Sequence, residues 1–297
     1  MELLTENPIP IGAWAKAFVD WLTTNFDLFF DQLANVLSGI ISVLLYILQT
    51  PHPLIVIAIV TALAWWFRRS IGIAVFTCLG MLLIVNQGYW QETTETLALV
   101  LAATFVSMAV GVPLGIAAAR RAWIYSFMRP ILDLMQTIPT FVYLIPALIL
   151  FGLGMVPGLI ATVIFAIPAP IRLTRLGIIS TPIPAPIRLT RLGIISTPPA
   201  LVEAAESFGA TPWQVLRKVE LPFAMPQIMA GLTQTIMLSL SMVVIAALVG
   251  ADGLGVPVLR ALNTVNIARG FESGLCIVIL AIVLDRLFRS SDEGEGA

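Results

Sequence analysis

The stretch PPALVEAAESFGATPWQVLRKVELP, residues 198–222, decides how the rest of the chain is read. It is the longest reach of mixed polarity in a sequence otherwise dominated by apolar runs. Pro198 and Pro199 suit the first turn of a helix but not its interior, so a helix is expected to begin there. Leu201, Ala204, Ala205 and Phe208 fall at i, i+3, i+4 and i+7 and make one small apolar face. Gly209 supplies a left-handed stop. Thr211 is placed to cap a second helix, with Pro212 at its first position and Gln214 completing a capping box. That helix is expected to run through Trp213, Leu216 and Val219 and to end at Pro222. Two short helices joined at a glycine and flanked by apolar segments have the shape of a docking element. An amphipathic hairpin lying on a membrane surface would share the same apolar face.

Of the 297 residues, 59% are hydrophobic and only 11% charged. Soluble domains carry roughly 25% charged residues, so the composition is that of an integral membrane protein. The net charge is −1 and no basic cluster points to nucleic acid. A single histidine, His52, excludes a multi-histidine metal site. Cys78 and Cys276 both sit in apolar runs and read as inert thiols. The N-terminus lacks the pattern of a cleaved signal peptide, so insertion is expected to rely on the spans themselves.

Working outward, residues 1–32 form an amphipathic N-terminal segment, with Trp14, Phe18 and Leu22 alternating with Lys16, Asp20 and Asp27. Apolar runs follow at 33–48, 54–67 and 71–85, each short for a span of about 20 residues. Arg68 and Arg69 mark an inner end by the positive-inside rule. The polar stretch NQGYWQETTET (86–96), free of Lys and Arg, reads as an outer loop. A full span at 97–119 carries Gly111 and Gly115, the GxxxG spacing of close helix packing. Arg120, Arg121 and Arg129 return the chain to the inside. Runs at 138–153 and 155–169 are interrupted by Pro and Gly, as in broken helices that line a path. The last spans are 228–250 and 273–288, and Asp252, Gly253 and Gly255 between them read as an outer turn. The tail, 290–297, reads as disordered.

Residues 167–182, IPAPIRLTRLGIISTP, recur identically as 183–198. An exact pair is not a solenoid, which needs at least three units. A continuous extra helix of this length would add roughly 24 Å and about 160° of rotation. The prolines at 182, 184 and 186 make looping-out cheaper, so one copy is expected to form an additional cytoplasmic excursion; a sequencing or assembly artefact is the rival explanation.

Glu203-Ala204-Ala205, then Gly209, then Val219-x-Leu221-Pro222 resembles the coupling-loop signature of bacterial ABC importer permeases. The likeness extends through LDLMQTIPTFVYLIPALILFGLG (132–154), FAIPAPIRLTRLG (165–177) and MLSLSMVVIAALVGADGLG (237–255), which are similar to permeases for glycine betaine, proline betaine and choline. The resemblance implies an all-α polytopic membrane protein with the type I ABC importer permease fold and about six to eight transmembrane helices. Peripheral or scaffold helices would occupy 33–86, and the permease core 87–289, with the coupling loop at 198–222. Glu203, Ala204, Ala205, Gly209, Leu221 and Pro222 would seat in a cytoplasmic ATPase subunit. A periplasmic or lipid-anchored binding protein would deliver the substrate, and the permease would pair as a homodimer in the bacterial inner membrane. A chain of this class imports osmoprotective quaternary amines. Departing from the family, the second copy of the sixteen-residue segment lies beside this loop.

No GxxxxGK[ST] phosphate loop occurs, so ATP would be bound by a separate subunit and this chain needs no cofactor. No HExxH, GxSxG or CxxC pattern points to catalysis, and no enzymatic activity is expected. Polar groups in membrane context supply candidates for the translocation path: Asp133, Gln136, Thr137, Thr140, Gln234, Ser239 and Ser241. Asp133 has a competing reading, in which it pairs with Arg129 at i+4 spacing. The alternatives in function are the same architecture with another small solute such as methionine, or a self-contained secondary carrier. A carrier would be expected to show intramembrane acids and an inverted repeat, and this sequence has few of the first and no sign of the second.

Overall fold

The computed structural model describes residues 10–179 and 199–288, and among these every regular element is a helix. The second sixteen-residue copy, the expected excursion of one copy, and the tail at 290–297 lie outside the described residues. Helix α1 (Ile11–Gln49) runs straight through the expected boundary at residue 32. It is two helical segments joined at a kink, where Phe26 leaves helical geometry (φ −123°, ψ 20°), so the break falls at residue 26 and the second segment carries the first apolar run. Helix α2 (Pro53–Arg68) is capped by His52, whose Nδ1 accepts the Leu54 N–H at 3.4 Å. Arg69, left-handed at φ 49°, turns the chain into α3 (Ile71–Asn86), which packs against α2.

Helix α4 (Trp90–Arg120) begins earlier than the sequence suggested. Most of the stretch read as an outer loop is helical, and threonine hydroxyls in it are satisfied by carbonyls of their own helix. Thr93 Oγ1 donates to the Tyr89 carbonyl and Thr94 Oγ1 to that of Gln91, each at 2.7 Å. Threonine hydroxyls here also accept: Gln49 donates to Thr94 Oγ1 (2.9 Å), and the Leu254 N–H donates to Thr96 Oγ1 (2.8 Å). These bonds tie α1 and the turn at 249–254 to one end of α4. Gly253 in that turn sits at φ 127°, against Thr96.

Helices α5 (Ala122–Thr137) and α6 (Thr140–Phe151) meet at 98°. Pro139 forces the break, since the residue before a proline is driven to extended geometry and Ile138 has ψ 130°. Helices α7 (Met155–Ala166) and α8 (Pro168–Ile178) then form one continuous span of 24 residues. Further along the chain come α9 (Pro199–Ser207), α10 (Pro212–Val215), a π-turn (Leu216–Glu220) and α11 (Leu221–Ser241). The run read as a single span at 228–250 divides after Ser241. There the ladder tightens, Met242 N–H bonding the Ser239 carbonyl at 3.1 Å, before the short α12 (Val243–Ala247). Helices α13 (Gly255–Asn263) and α14 (Ile267–Phe288) complete the described chain.

The core is built on α4, α8 and α11. The GxxxG spacing does what its small residues allow. A Cβ on Gly111 would lie 2.7 Å from Pro170 Cγ, and one on Gly115 would lie 2.7 Å from Thr174 Cβ and 2.8 Å from the Ile171 carbonyl oxygen. Gly177 and Gly231 do the same between α8 and α11, against Ala224 and Pro170. The partners on α8 all come from the first sixteen-residue copy. Around this centre α3, α11 and α14 enclose Ile84, Ile236 and Leu280 with Val100 of α4. Cys276 is buried in the same cluster, Cys78 is half-buried, and both thiols are free.

By length and composition four described helices can cross a bilayer: Gly12–Gln49, Trp90–Arg120, Met155–Ile178 and Ile267–Phe288. The bent α5–α6 pair makes a fifth, and α2 and α3 are shorter apolar helices. Their outer faces carry large exposed apolar residues such as Leu54, Ile59, Trp66, Phe105 and Val278, as a lipid-facing surface requires.

Candidate functional site

The element at 198–222 folds locally much as its residues dictate. Helix α9 closes with the Ala210 N–H on the Ala205 carbonyl (3.0 Å) and the Gly209 N–H on that of Glu206 (2.8 Å), with Gly209 left-handed at φ 79°. This is the paired closure that a C′ glycine permits. Thr211 then forms the capping box. Its Oγ1 accepts the Gln214 N–H at 3.4 Å, and Gln214 Oε1 accepts the Thr211 N–H at 2.8 Å.

Pro222 does not end the second helix. The chain passes from α10 through the π-turn into α11 with helical geometry throughout, the Leu221 N–H bonding the Leu216 carbonyl. A proline clashes with the carbonyl four residues back; the wider i−5 turn relieves that clash and leaves Pro222 in the first turn of α11. The second short helix therefore runs on through the π-turn into the 21-residue α11.

The apolar face of α9 is not used within the described residues. Leu201 is 39% and Phe208 92% exposed, and Trp213 across the corner is 65% exposed. Glu203 and Ala204 are also exposed, while Ala205 is half-buried. Between the two short helices lies a notch lined by Ala205, Gly209, Gln214 and Lys218. The element is joined to the bundle through the buried Val215 and Leu216 and through Arg120, the last residue of α4. Its Nη2 donates to Glu220 Oε2 at 2.9 Å and to the Pro212 carbonyl at 3.0 Å. Glu220 is only 13% exposed. The sequence showed Arg120 only as a marker of the inner side, and Glu220 as the free position in the Val219-x-Leu221-Pro222 pattern.

The path candidates divide. Asp133 and Gln136 come together, one turn apart at the end of α5, on a single guanidinium from α8. Arg172 Nη2 lies 2.6 Å from Asp133 Oδ1, and Nη1 donates to Gln136 Oε1 at 2.9 Å. Asp133 thus pairs across to α8 rather than with Arg129, because the i+4 neighbour shares its helix but a helix crossing brings Arg172 closer. Arg175, one turn on, stacks its guanidinium 3.5 Å above the Tyr125 ring. The others do not join this group. Thr137 is exposed and Thr140 half-buried at the start of α6. Gln234 and Ser241 are exposed on α11, Ser241 Oγ donating to the Met237 carbonyl at 3.0 Å. Ser239 is fully buried, its hydroxyl without a hydrogen-bond partner among the described residues.

Residues 111–293 match the family described as binding-protein-dependent transport system inner membrane component. The chain is 44% identical to the glycine betaine/carnitine transport permease protein GbuB of Listeria monocytogenes, over 94% of each chain. It is 46% identical to the glycine betaine transport system permease protein OpuAB of Bacillus subtilis, over 94% of this chain and 93% of that one. It is also 44% identical to the glycine betaine/proline betaine permease ProW of Escherichia coli, over 94% of this chain and 74% of that protein. Among solved structures, the MetNI methionine ABC transporter in an inward-facing form aligns with TM-score 0.53 at 23% identity, covering 69% of this chain and 92% of that one, a likeness of fold. With a helical membrane bundle of the type I importer kind and a family match running from the GxxxG helix past the end of α14, the chain belongs to the binding-protein-dependent transport system inner membrane components, multi-pass permeases of the plasma membrane.

Proposed function

We propose that this chain is the transmembrane permease of an ATP-driven importer for quaternary-amine compatible solutes, namely glycine betaine, proline betaine or choline. The observation that carries the reading is the coupling element, an outward-facing apolar helix hinged at Gly209 to the foot of α11. Glu203, Ala204, Ala205, Gly209, Leu221 and Pro222 seat on a cytoplasmic ATPase subunit, where Leu201 and Phe208 find the cover they lack here. Closure of the ATPases on ATP then pulls α11 directly, since no break separates its foot from the membrane. Arg120 passes the same displacement to α4. The binding protein, periplasmic or lipid-anchored, hands the solute to the outer end, and two permeases pair around the path. Asp133, Gln136, Thr137, Thr140, Gln234, Ser239 and Ser241 remain the path candidates. The choice of solute is supported by the substrates that give the relatives at 44% and 46% identity their names.

The test is uptake of radiolabelled glycine betaine and choline by cells expressing this permease with its ATPase and binding protein. Saturable, ATP-dependent accumulation of either is expected. Accumulation of methionine but neither quaternary amine would move the chain to the alternative cargo.

A further inference from the structure

We propose that Arg172 is a positioning residue that holds the α5–α6 elbow, and that its twin in the identical second copy, Arg188, takes no part in this. The proposal rests on the reading of the chain as a permease and deepens it.

Helix α8 grips α5 at two points. Arg172 engages Asp133 and Gln136 with two different nitrogens, and Arg175 covers Tyr125. The contact points run in opposite order along the two helices, so they cross antiparallel, and Tyr125 and Asp133 are about 12 Å apart along α5. A planar guanidinium held at two nitrogens fixes an orientation as well as a distance. The grip falls in the last turn before Ile138–Pro139, where the chain bends through 98°. Among the described residues the elbow has no other ion pair. Both partners are substantially exposed, 35% for Arg172 and 54% for Asp133, so the pair contributes little to global stability. Its effect is geometric.

Local sequence cannot choose between the copies, since Arg188 stands in the same sixteen residues as Arg172. Connectivity can. The first copy continues α7 without a gap, the Ile167 N–H bonding the Val163 carbonyl at 2.9 Å and the Ile171 N–H that of Ile167 at 3.4 Å. Seating the second copy against Gly111 and Gly115 would insert sixteen residues at the middle of the Met155–Ile178 span. Backbone groups without partners are costly in the hydrocarbon region, so the first copy keeps the groove and Arg172 keeps the elbow.

Deleting either copy yields the same protein, so only point substitutions separate them. The experiment compares R172A, R188A, R172K and the swapped pair D133R/R172D in the full chain with its ATPase and binding protein. It measures glycine betaine uptake per inserted permease, and binding-protein-stimulated ATP hydrolysis. R172A is expected to lower both rates per molecule about fivefold, with R188A at the wild-type value and R172K and the swap each recovering part of the loss. A purely structural role would lower the amount inserted and leave the rate per molecule unchanged, which would overturn the proposal. Equal damage from R172A and R188A, or none from R172A, would also overturn it. If R172A inserts poorly, R172K decides by its rate per inserted molecule: a rate between those of R172A and the wild type supports the clamp, and a wild-type rate in both R172A and R172K refutes it. A wild-type chain that imports no quaternary amine would refute the proposed cargo instead, and the ATP hydrolysis comparison would still test the clamp.

Discussion

Gly115 and Gly209 both resist replacement, for opposite reasons. At Gly115 the backbone is ordinary helix and the neighbour forbids a side chain, since Thr174 and the Ile171 carbonyl of α8 occupy the space. At Gly209 the space is empty and the backbone forbids one, with φ at 79° and nothing within 4 Å of where a Cβ would stand. One glycine serves the packing of the bundle; the other sets the exposed corner between α9 and α10. Substitution should therefore damage folding in the first place and coupling in the second. The contrast separates the part of the molecule that must be stable from the part that must be shaped.

The largest effect is expected from Gly115→Leu. Overpacking against a backbone carbonyl should destabilise the α4–α8 contact by about 3 kcal/mol, seen as a lower Tm in detergent and reduced insertion. A normal Tm would mean that α8 can move away from α4, and the contrast would fail. Next come Gly209→Asp and Glu203→Lys, each expected to insert normally but to lose at least about tenfold in ATP-driven uptake, equivalent to about 1.4 kcal/mol of coupling. Full uptake in both would end the docking interpretation of the α9 corner.

Arg120→Ala sharpens the comparison, because Arg120 joins the two regions. Loss of its bonds to Glu220 and the Pro212 carbonyl should cost on the order of 1 kcal/mol, discounted for exposure, and leave Glu220 half-enclosed without its cation. The expected result is a small drop in Tm with a larger drop in uptake per ATP hydrolysed. Equal drops would place Arg120 with the bundle alone. Thr211→Ala should give the smallest change, at most about 1 kcal/mol and confined to the corner, read as faster amide exchange at Val215 with Tm unaltered. Exchange unchanged at that site would show that the π-turn, and not the capping box, holds α10.

The corner is legible from sequence because its determinants are local. Gly209, Thr211, Pro212 and Gln214 act within a few residues of one another, and the bonds they imply are the bonds observed. Pro222 departs from expectation because its usual effect assumes an α-turn before it, and nothing in the sequence announces the π-turn that accommodates it. The threonines at 93, 94 and 96 look like a loop because polarity is visible in a sequence, while the return of the Thr93 and Thr94 hydroxyls to their own helix and the Leu254 N–H that Thr96 accepts are not. Asp133 stands out as an acid in membrane context, but spacing rules offer it a partner one turn away on α5, and the partner it takes lies 39 residues on.

Sequence alone determined the class of the protein: an apolar helical chain whose coupling signature and small-residue spacing imply a membrane permease moved by a partner. It could do so because composition, periodicity and turn chemistry are short-range properties. Only the tertiary structure decided which glycines touch what, which arginine holds the elbow and which of two identical segments fills the groove. Identical residues carry identical local preferences, so the choice between them falls to chain connectivity and to the neighbours that the fold brings near.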